Sequence, residues 1–187
     1  MGKERLPVTD ATRAELLDTY EGGYDRLVAA LDNLTEADLD NREAPGEWSP
    51  REIVHHVAAS ELIGAVRLRR LIAEENPVIH PYDQAAYART LFSDRPLDAS
   101  LGVIKYVIRT NVAILRRLRD ADWAKGGTHL AMGPFDVDRW LVVYSGHVAS
   151  HVDQLARASR GAAETQPAGP EAERPEDLTR LAHRPNC

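Results

Sequence analysis

The sequence predicts an all-α fold, a bundle of four helices. Three observations carry this reading. Four segments repeat apolar residues at steps of three and four, no segment alternates apolar and polar residues for long enough to argue for a sheet, and 187 residues suit one domain. The expected organisation is a bundle over residues 1–160 and a flexible tail over 161–187.

The first helix is expected from about Thr12 to Leu34, with Leu17, Tyr20, Tyr24, Leu27, Leu31 and Leu34 on its apolar stripe. Gly22 and Gly23 interrupt it. A glycine costs about 1 kcal/mol relative to alanine inside a helix, so the pair marks close packing or a kink. The second helix has the sharpest start, Trp48-Ser49-Pro50-Arg51-Glu52. Ser49 suits the N-cap, Pro50 the first helical position, and Glu52 completes an S-x-x-E capping box. This helix should run to about Glu75, before Asn76-Pro77.

Residues 75–98 contain proline and lack periodicity, which makes a long connection for a compact domain. That length lets the chain cross the bundle, so the second and third helices need not be antiparallel neighbours. The third helix follows from Asp98 to Asp120, with Leu101, Ile104, Ile108, Val112, Leu115 and Leu118 on one stripe. Gly126-Gly127 opens a turn-rich segment through Gly133-Pro134, and the fourth helix spans about Asp136 to Gly161. Beyond it the chain turns to Ala, Pro, Glu and Gly, which bury too little apolar surface to offset the entropy of ordering.

Composition narrows the functional classes. A formal charge of -6 gives a field that repels phosphate backbones. The clusters Arg67, Arg69, Arg70 and Arg116, Arg117, Arg119 sit in helical patterns that also carry acids. They read as solvated faces, and no nucleic-acid partner is expected. The only cysteine is Cys187, which leaves no internal disulfide and fits a reducing compartment. Residues 1–7 lack the apolar core of a secretory signal, and no stretch reaches the roughly 20 apolar residues that cross a bilayer. A soluble cytoplasmic protein with no membrane partner is expected.

In the fourth helix Trp140, Tyr144, His147, His151 and Leu155 follow steps of four, three, four and four. Both imidazoles therefore face the core, one turn apart, where an H-x-x-x-H pair can reach one metal ion. The residues between them are Val148, Ala149 and Ser150, so no glutamate base stands between the ligands and metalloprotease chemistry is disfavoured. A third ligand must come from another helix, and His55-His56 is the candidate. Periodicity does not choose between the two, because they flank the apolar centre defined by Ile53, Val57 and Leu68.

The stretches E-W-S-P-R-E-I-V-H-H-V-A-A-S and G-H-V-A-S-H-V-D-Q-L resemble the DinB-like superfamily of bacterial bundle proteins. Glu74-Glu75-Asn76-Pro77-Val78-Ile79-His80-Pro81-Tyr82-Asp83 resembles its YfiT-type subgroup, which includes bacillithiol transferases. The resemblance covers most of residues 12 to 160. It implies an up-down-down-up bundle with a long crossover between the second and third helices. It also implies that one histidine from the second helix and the pair from the fourth hold a divalent metal. In that register the ligands are His56, His147 and His151, with His55 accessory.

Three neutral imidazoles leave coordination positions open, as catalytic metal sites do. A metal there could lower the pKa of a bound water or thiol; zinc and nickel suit imidazole, and manganese is a third candidate. No separate catalytic residue is evident. Gln154, one turn from His151, either orients a ligand or substrate or is an exposed helix-end amide. Glu61 and Asp153 either accept the second ring N–H of a metal-bound histidine or form surface salt bridges, the favoured reading. His129 either lines the mouth of the pocket or is a solvent-exposed loop residue, and His80, Tyr82 and Asp83 could cover the bundle end where substrate enters. Trp48 and Trp140 read as core anchors, while His183 lies in the tail and carries no weight.

The resemblance implies transfer of a low-molecular-weight thiol to an electrophilic small molecule. A hydrolase using metal-activated water at the same site is the second expectation. A non-catalytic bundle that binds metal, a ligand or a partner helix, as a homodimer, is the third.

Overall fold

The computed structural model describes residues 8–161, so the expected tail, apart from Gly161, lies outside the described residues. The elements run in the order α1 (Asp10–Glu21), α2 (Gly23–Leu31), α3 (Pro50–Ala73), β1 (Val78–Ile79), α4 (Gln84–Thr90), α5 (Asp98–Leu115), α6 (Asp120–Trp123), β2 (Gly126–His129), β3 (Gly133–Asp136) and α7 (Val137–Arg160). A single 3₁₀ turn, Asp38–Asp40, lies before α3.

Four helical columns make the bundle, the first of them formed jointly by α1 and α2. Glycine explains that division in both of the ways its sequence allows. The chain breaks at Gly22, whose ψ of -3° departs from helical geometry, and a Cβ on Gly23 would lie 3.1 Å from Val148 Cγ1 of α7. Helix α3 starts as its sequence dictates: the Ser49 side chain accepts from Glu52 N, and Glu52 Oε2 accepts from Ser49 N at 2.9 Å. Helix α7 starts at the N-cap Asp136, which accepts from Arg139 N at 2.7 Å.

Pairwise contacts fix the direction of each column. Arg13 bonds Asp138 and Gly23 abuts Val148, so α1 and α2 run parallel to α7. His56 meets His147 while Trp140 Nε1 donates to the carbonyl of Gly64 at 2.8 Å, so α3 and α7 are antiparallel. His55 meets Ser100 while Arg69 meets Asn111, so α3 and α5 are parallel. The order is up-down-down-up, and residues 74–97 make the crossover that two parallel columns require.

A three-stranded sheet of order β1-β2-β3 is added to the predicted all-helical pattern. Strand β1 pairs in parallel with β2, which pairs antiparallel with β3. Its strands are two to four residues long, too short to display alternation, and β1 finds its partner β2 far along the sequence. The sheet ties the start of the crossover to the hairpin before α7. The third helix ends at Leu115 rather than Asp120, and the chain turns into α6, where Trp123 is buried under Arg13.

The core is continuous from Tyr20 and Leu27 through Ile53, Val57 and Leu68 to Ile104, Ile108, Trp140 and Tyr144. Burying side chains of this size stabilises by about 1.5–3 kcal/mol each relative to exposure. The expectation that Arg67 lies on a solvated face is corrected. Arg67 is buried, donating to Tyr144 Oη at 3.2 Å and to the carbonyl of His80 at 2.8 Å. The rest of these clusters is more exposed; Arg70 pairs with Glu74 and Arg119 with Asp122 within one turn, and Arg116 with Glu21 of α1.

Candidate metal centre

The second turn of α3 and the middle of α7 bring three imidazoles together. His147 Nε2 lies 3.3 Å from His56 Nε2 and 3.2 Å from His151 Nε2. One nitrogen from each ring falls within 4.8 Å of the other two. His56 and His147 are buried, and His151 is partly exposed.

Gln154 decides how His151 presents itself. Its Oε1 lies 2.8 Å from His151 Nδ1, and an amide oxygen can only accept, so the ring proton sits on Nδ1 and the Nε2 lone pair faces the other histidines. This is the outer partner that metal-binding histidines require. Gln154 is half-buried against His151 rather than an exposed helix-end amide.

Electrostatics keep the rings neutral. Burial, with His151 beside it, holds His56 down to about 3. Burial first, then the neighbouring rings of His151 and His56, holds His147 well below the usual imidazole range. Burial lowers His151 as well, against a small opposing effect of the Gln154 bond. Three neutral rings therefore turn nitrogens toward one another, an arrangement that a shared cation stabilises. The spacing fits one: two nitrogens each about 2.0–2.1 Å from a zinc ion at the tetrahedral angle are roughly 3.3 Å apart.

Trp48 packs against the core and also stands at this site. It is half-buried, its ring 4.5 Å from that of His56 and stacked on His151 at 6.2 Å with 22° between planes. The signal for this was its place immediately before the N-cap, where an apolar residue folds back against the first turns of the helix it precedes. Trp140 is the core anchor that its spacing implies, fully buried and stacked on Tyr144 at 4.5 Å.

His55 points to the other flank of α3. Its Nδ1 meets Ser100 Oγ at 2.8 Å and its Nε2 meets the carbonyl of Arg95 at 3.1 Å, so it pins the crossover and α5 to α3. The remaining sequence candidates fall elsewhere. Glu61 is fully buried rather than in a surface salt bridge; it accepts from Tyr20 Oη, and burial raises its carboxyl to about 7 against that bond. Asp153 is exposed. His129 is buried in the sheet, where Nδ1 accepts from the backbone of Ala131 and Met132, so it is neither an exposed loop residue nor joined to the triad by those bonds.

His80 is exposed, Tyr82 packs on Tyr87 and faces Arg67, and Asp83 caps α4. They lie beside the second half of α3, whereas the crossover residues lining a cavity with His56 come later, from Tyr87 to Arg95.

The sequence model of the DinB superfamily matches residues 19–155. The chain belongs to the DinB superfamily. A Bacillus pumilus protein named "Putative metal-dependent hydrolase" is 32% identical over 162 residues, 84% of this chain and 89% of that one. An Oceanobacillus iheyensis protein of the same description is 30% identical over 123 residues, 66% of this chain and 72% of that one. Among solved structures, YfiT from Bacillus subtilis, described as "a probable metal-dependent hydrolase with an unusual four-helix bundle topology", superposes with a TM-score of 0.78 at 25% identity, covering 85% of this chain and 92% of that one. A mycothiol-dependent maleylpyruvate isomerase shares the fold at a TM-score of 0.62 and 17% identity, over 80% of this chain and 61% of that one. These likenesses place the protein with the YfiT-type members of the superfamily. Among the described residues, no helix is long and apolar enough to cross a membrane.

Proposed function

We propose that His56, His147 and His151 hold one divalent metal ion, and that the protein transfers a low-molecular-weight thiol to an electrophilic small molecule. The observation that carries the reading is the convergence of three Nε2 atoms with the outer nitrogen of His151 taken by Gln154. A divalent ion held there would lower the pKa of a coordinated thiol or water, with zinc and nickel suited to imidazole and manganese a further candidate.

The chain's own groups favour a thiol. Gln154 keeps the His151 lone pair aimed inward, and the Trp48 ring packs against those of His56 and His151. Of the acids near the triad in sequence, Glu61 is bonded to Tyr20, Glu52 to Arg42 and the Ser49 N–H, and Asp153 is exposed to solvent. Turning water into a nucleophile benefits from a carboxylate or histidine base that removes its proton. A thiol, ordinarily titrating near 8.5, needs far less help.

Hydrolysis by metal-activated water is the second reading, favoured by the names of the relatives. A single assay separates the two. With metal-loaded protein, mercaptoethanol and chlorodinitrobenzene, we expect metal-dependent loss of free thiol well above the uncatalysed rate. Turnover of nitrophenyl acetate without thiol would favour the hydrolase instead. Failure of both with metal fully loaded would leave a non-catalytic metal-binding bundle.

A further inference from the structure

The proposed function names a thiol but no group that recognises it. A cavity of about 20 Å³ lies beside His56, lined by Glu52, His56 and Ala59 of α3 and by Ala88, Leu91 and Arg95 of the crossover. As it stands it has room for about one water molecule.

Arg95 is held at this wall by its backbone. Its carbonyl meets His55 Nε2 at 3.1 Å, and its Nε donates to the carbonyl of Leu91 at 3.0 Å. Its two terminal nitrogens have no protein partner among the described residues. The acid on the opposite wall, Glu52, is already paired with Arg42 and the capped end of α3. Arg95 is exposed at the cavity wall, and its guanidinium, without an ion-pair partner among the described residues, is of the type that grips carboxylates through two parallel N–H bonds.

The outer wall is lightly packed. Helix α4 contains no buried residue, and Tyr87 and Leu91 are already 38% and 43% exposed. Phe92, which follows, has φ of 54°, a left-handed conformation that strains a bulky side chain and marks a bend. Displacing α4 outward would expose little apolar surface that water does not already reach.

We infer that this cavity is the thiol's subsite, with Arg95 binding a carboxylate on the thiol and α4 as the wall that yields to admit it. The ligand class is a small thiol with a carboxylate a few carbons from the sulfur, the spacer lying along Ala59, Ala88 and Leu91. The sulfur rests on the thiol-transfer reading; recognition of the carboxylate does not.

The test is calorimetric titration of metal-loaded protein with mercaptopropionate, its neutral amide, and propionate. The acid should bind about tenfold tighter than the amide, the worth of one charge-assisted hydrogen bond. Arg95→Ala should erase that advantage, Arg95→Lys should keep part of it, and metal content should be unchanged in both. Equal affinity of acid and amide for the unmodified protein, or an advantage that survives Arg95→Ala, would overturn the subsite. Propionate separates this inference from its parent. Arg95-dependent binding of propionate, with no response of the cobalt-loaded protein's visible spectrum to either thiol, would sustain the subsite and overturn the thiol reading.

Discussion

Helices α3 and α7 meet along one seam that has two characters. In its upper half Gly64 lets the ring of Tyr144 lie against the α3 backbone, where a Cβ would come within 2.3 Å of Tyr144 Cε1, and Trp140 bonds the Gly64 carbonyl. In its lower half the same two helices face each other through His56, His147 and His151. The upper half is close-packed and sets the helix separation. The lower half inherits that separation, and imidazoles reaching from both sides meet at the spacing one ion requires. The histidine cluster is positioned by packing two turns away, not by the histidines themselves.

Gly64→Ala attacks the packed half and should have the largest effect on stability. Overpacking a tight core costs about 1–3 kcal/mol, and a contact this short belongs at the upper end. Thermal denaturation should show it, and metal affinity should fall in the same variant although no ligand is touched. Unchanged affinity would separate the halves.

The two halves also differ in how pH acts on them. In metal-free protein, His56 is held at about 3 while an unfolded imidazole titrates near 6.5. The unfolded chain therefore takes up the proton first, and stability is lost as pH falls from 6.5 toward 3. Glu61, beside the packed half, is raised from 4.5 to about 7, so its contribution is fully present below 4.5 and is lost as pH rises through about 7. Glu61→Gln should remove only the alkaline loss, stabilising the protein at pH 8 relative to the parent by on the order of 2 kcal/mol. Denaturant melts of chelator-treated protein at pH 5 and pH 8 measure it; an equal effect at both would contradict the assignment.

A smaller effect is expected at the rim. Gln154→Ala removes the acceptor that fixes the His151 tautomer, and should weaken metal binding about 10- to 100-fold with little change in folding. Competition with a chelator of known affinity reads this directly. An effect on melting temperature alone would make Gln154 merely structural.

Legibility in the sequence followed the same division between local and distant causes. The α3 start was readable because Ser49, Pro50 and Glu52 act within one turn, and the His147–His151 pair because both rings lie on one helix. The resemblance supplied the up-down-down-up order, which the paired contacts bear out. The choice between His55 and His56 was not readable from periodicity. It depends on which flank α7 occupies and which α5 occupies, and each ring found a partner there. Arg67 was misjudged because its partners, Tyr144 and the His80 carbonyl, come from a distant helix and from the crossover. The sheet escaped notice because its shortest strand has two residues and finds its pair some fifty residues on, at Thr128 and His129.

The central claim is that one turn of α3 and two of α7 form a single metal site through His56, His147 and His151. Metal analysis of protein purified without a chelating tag tests it most directly, comparing the parent with alanine at each of these positions and at His55. Stoichiometric metal should be present in the parent and in His55→Ala, and lost from His56→Ala, His147→Ala and His151→Ala. Full metal in all three of the latter, or loss in His55→Ala but not in His56→Ala, would contradict it.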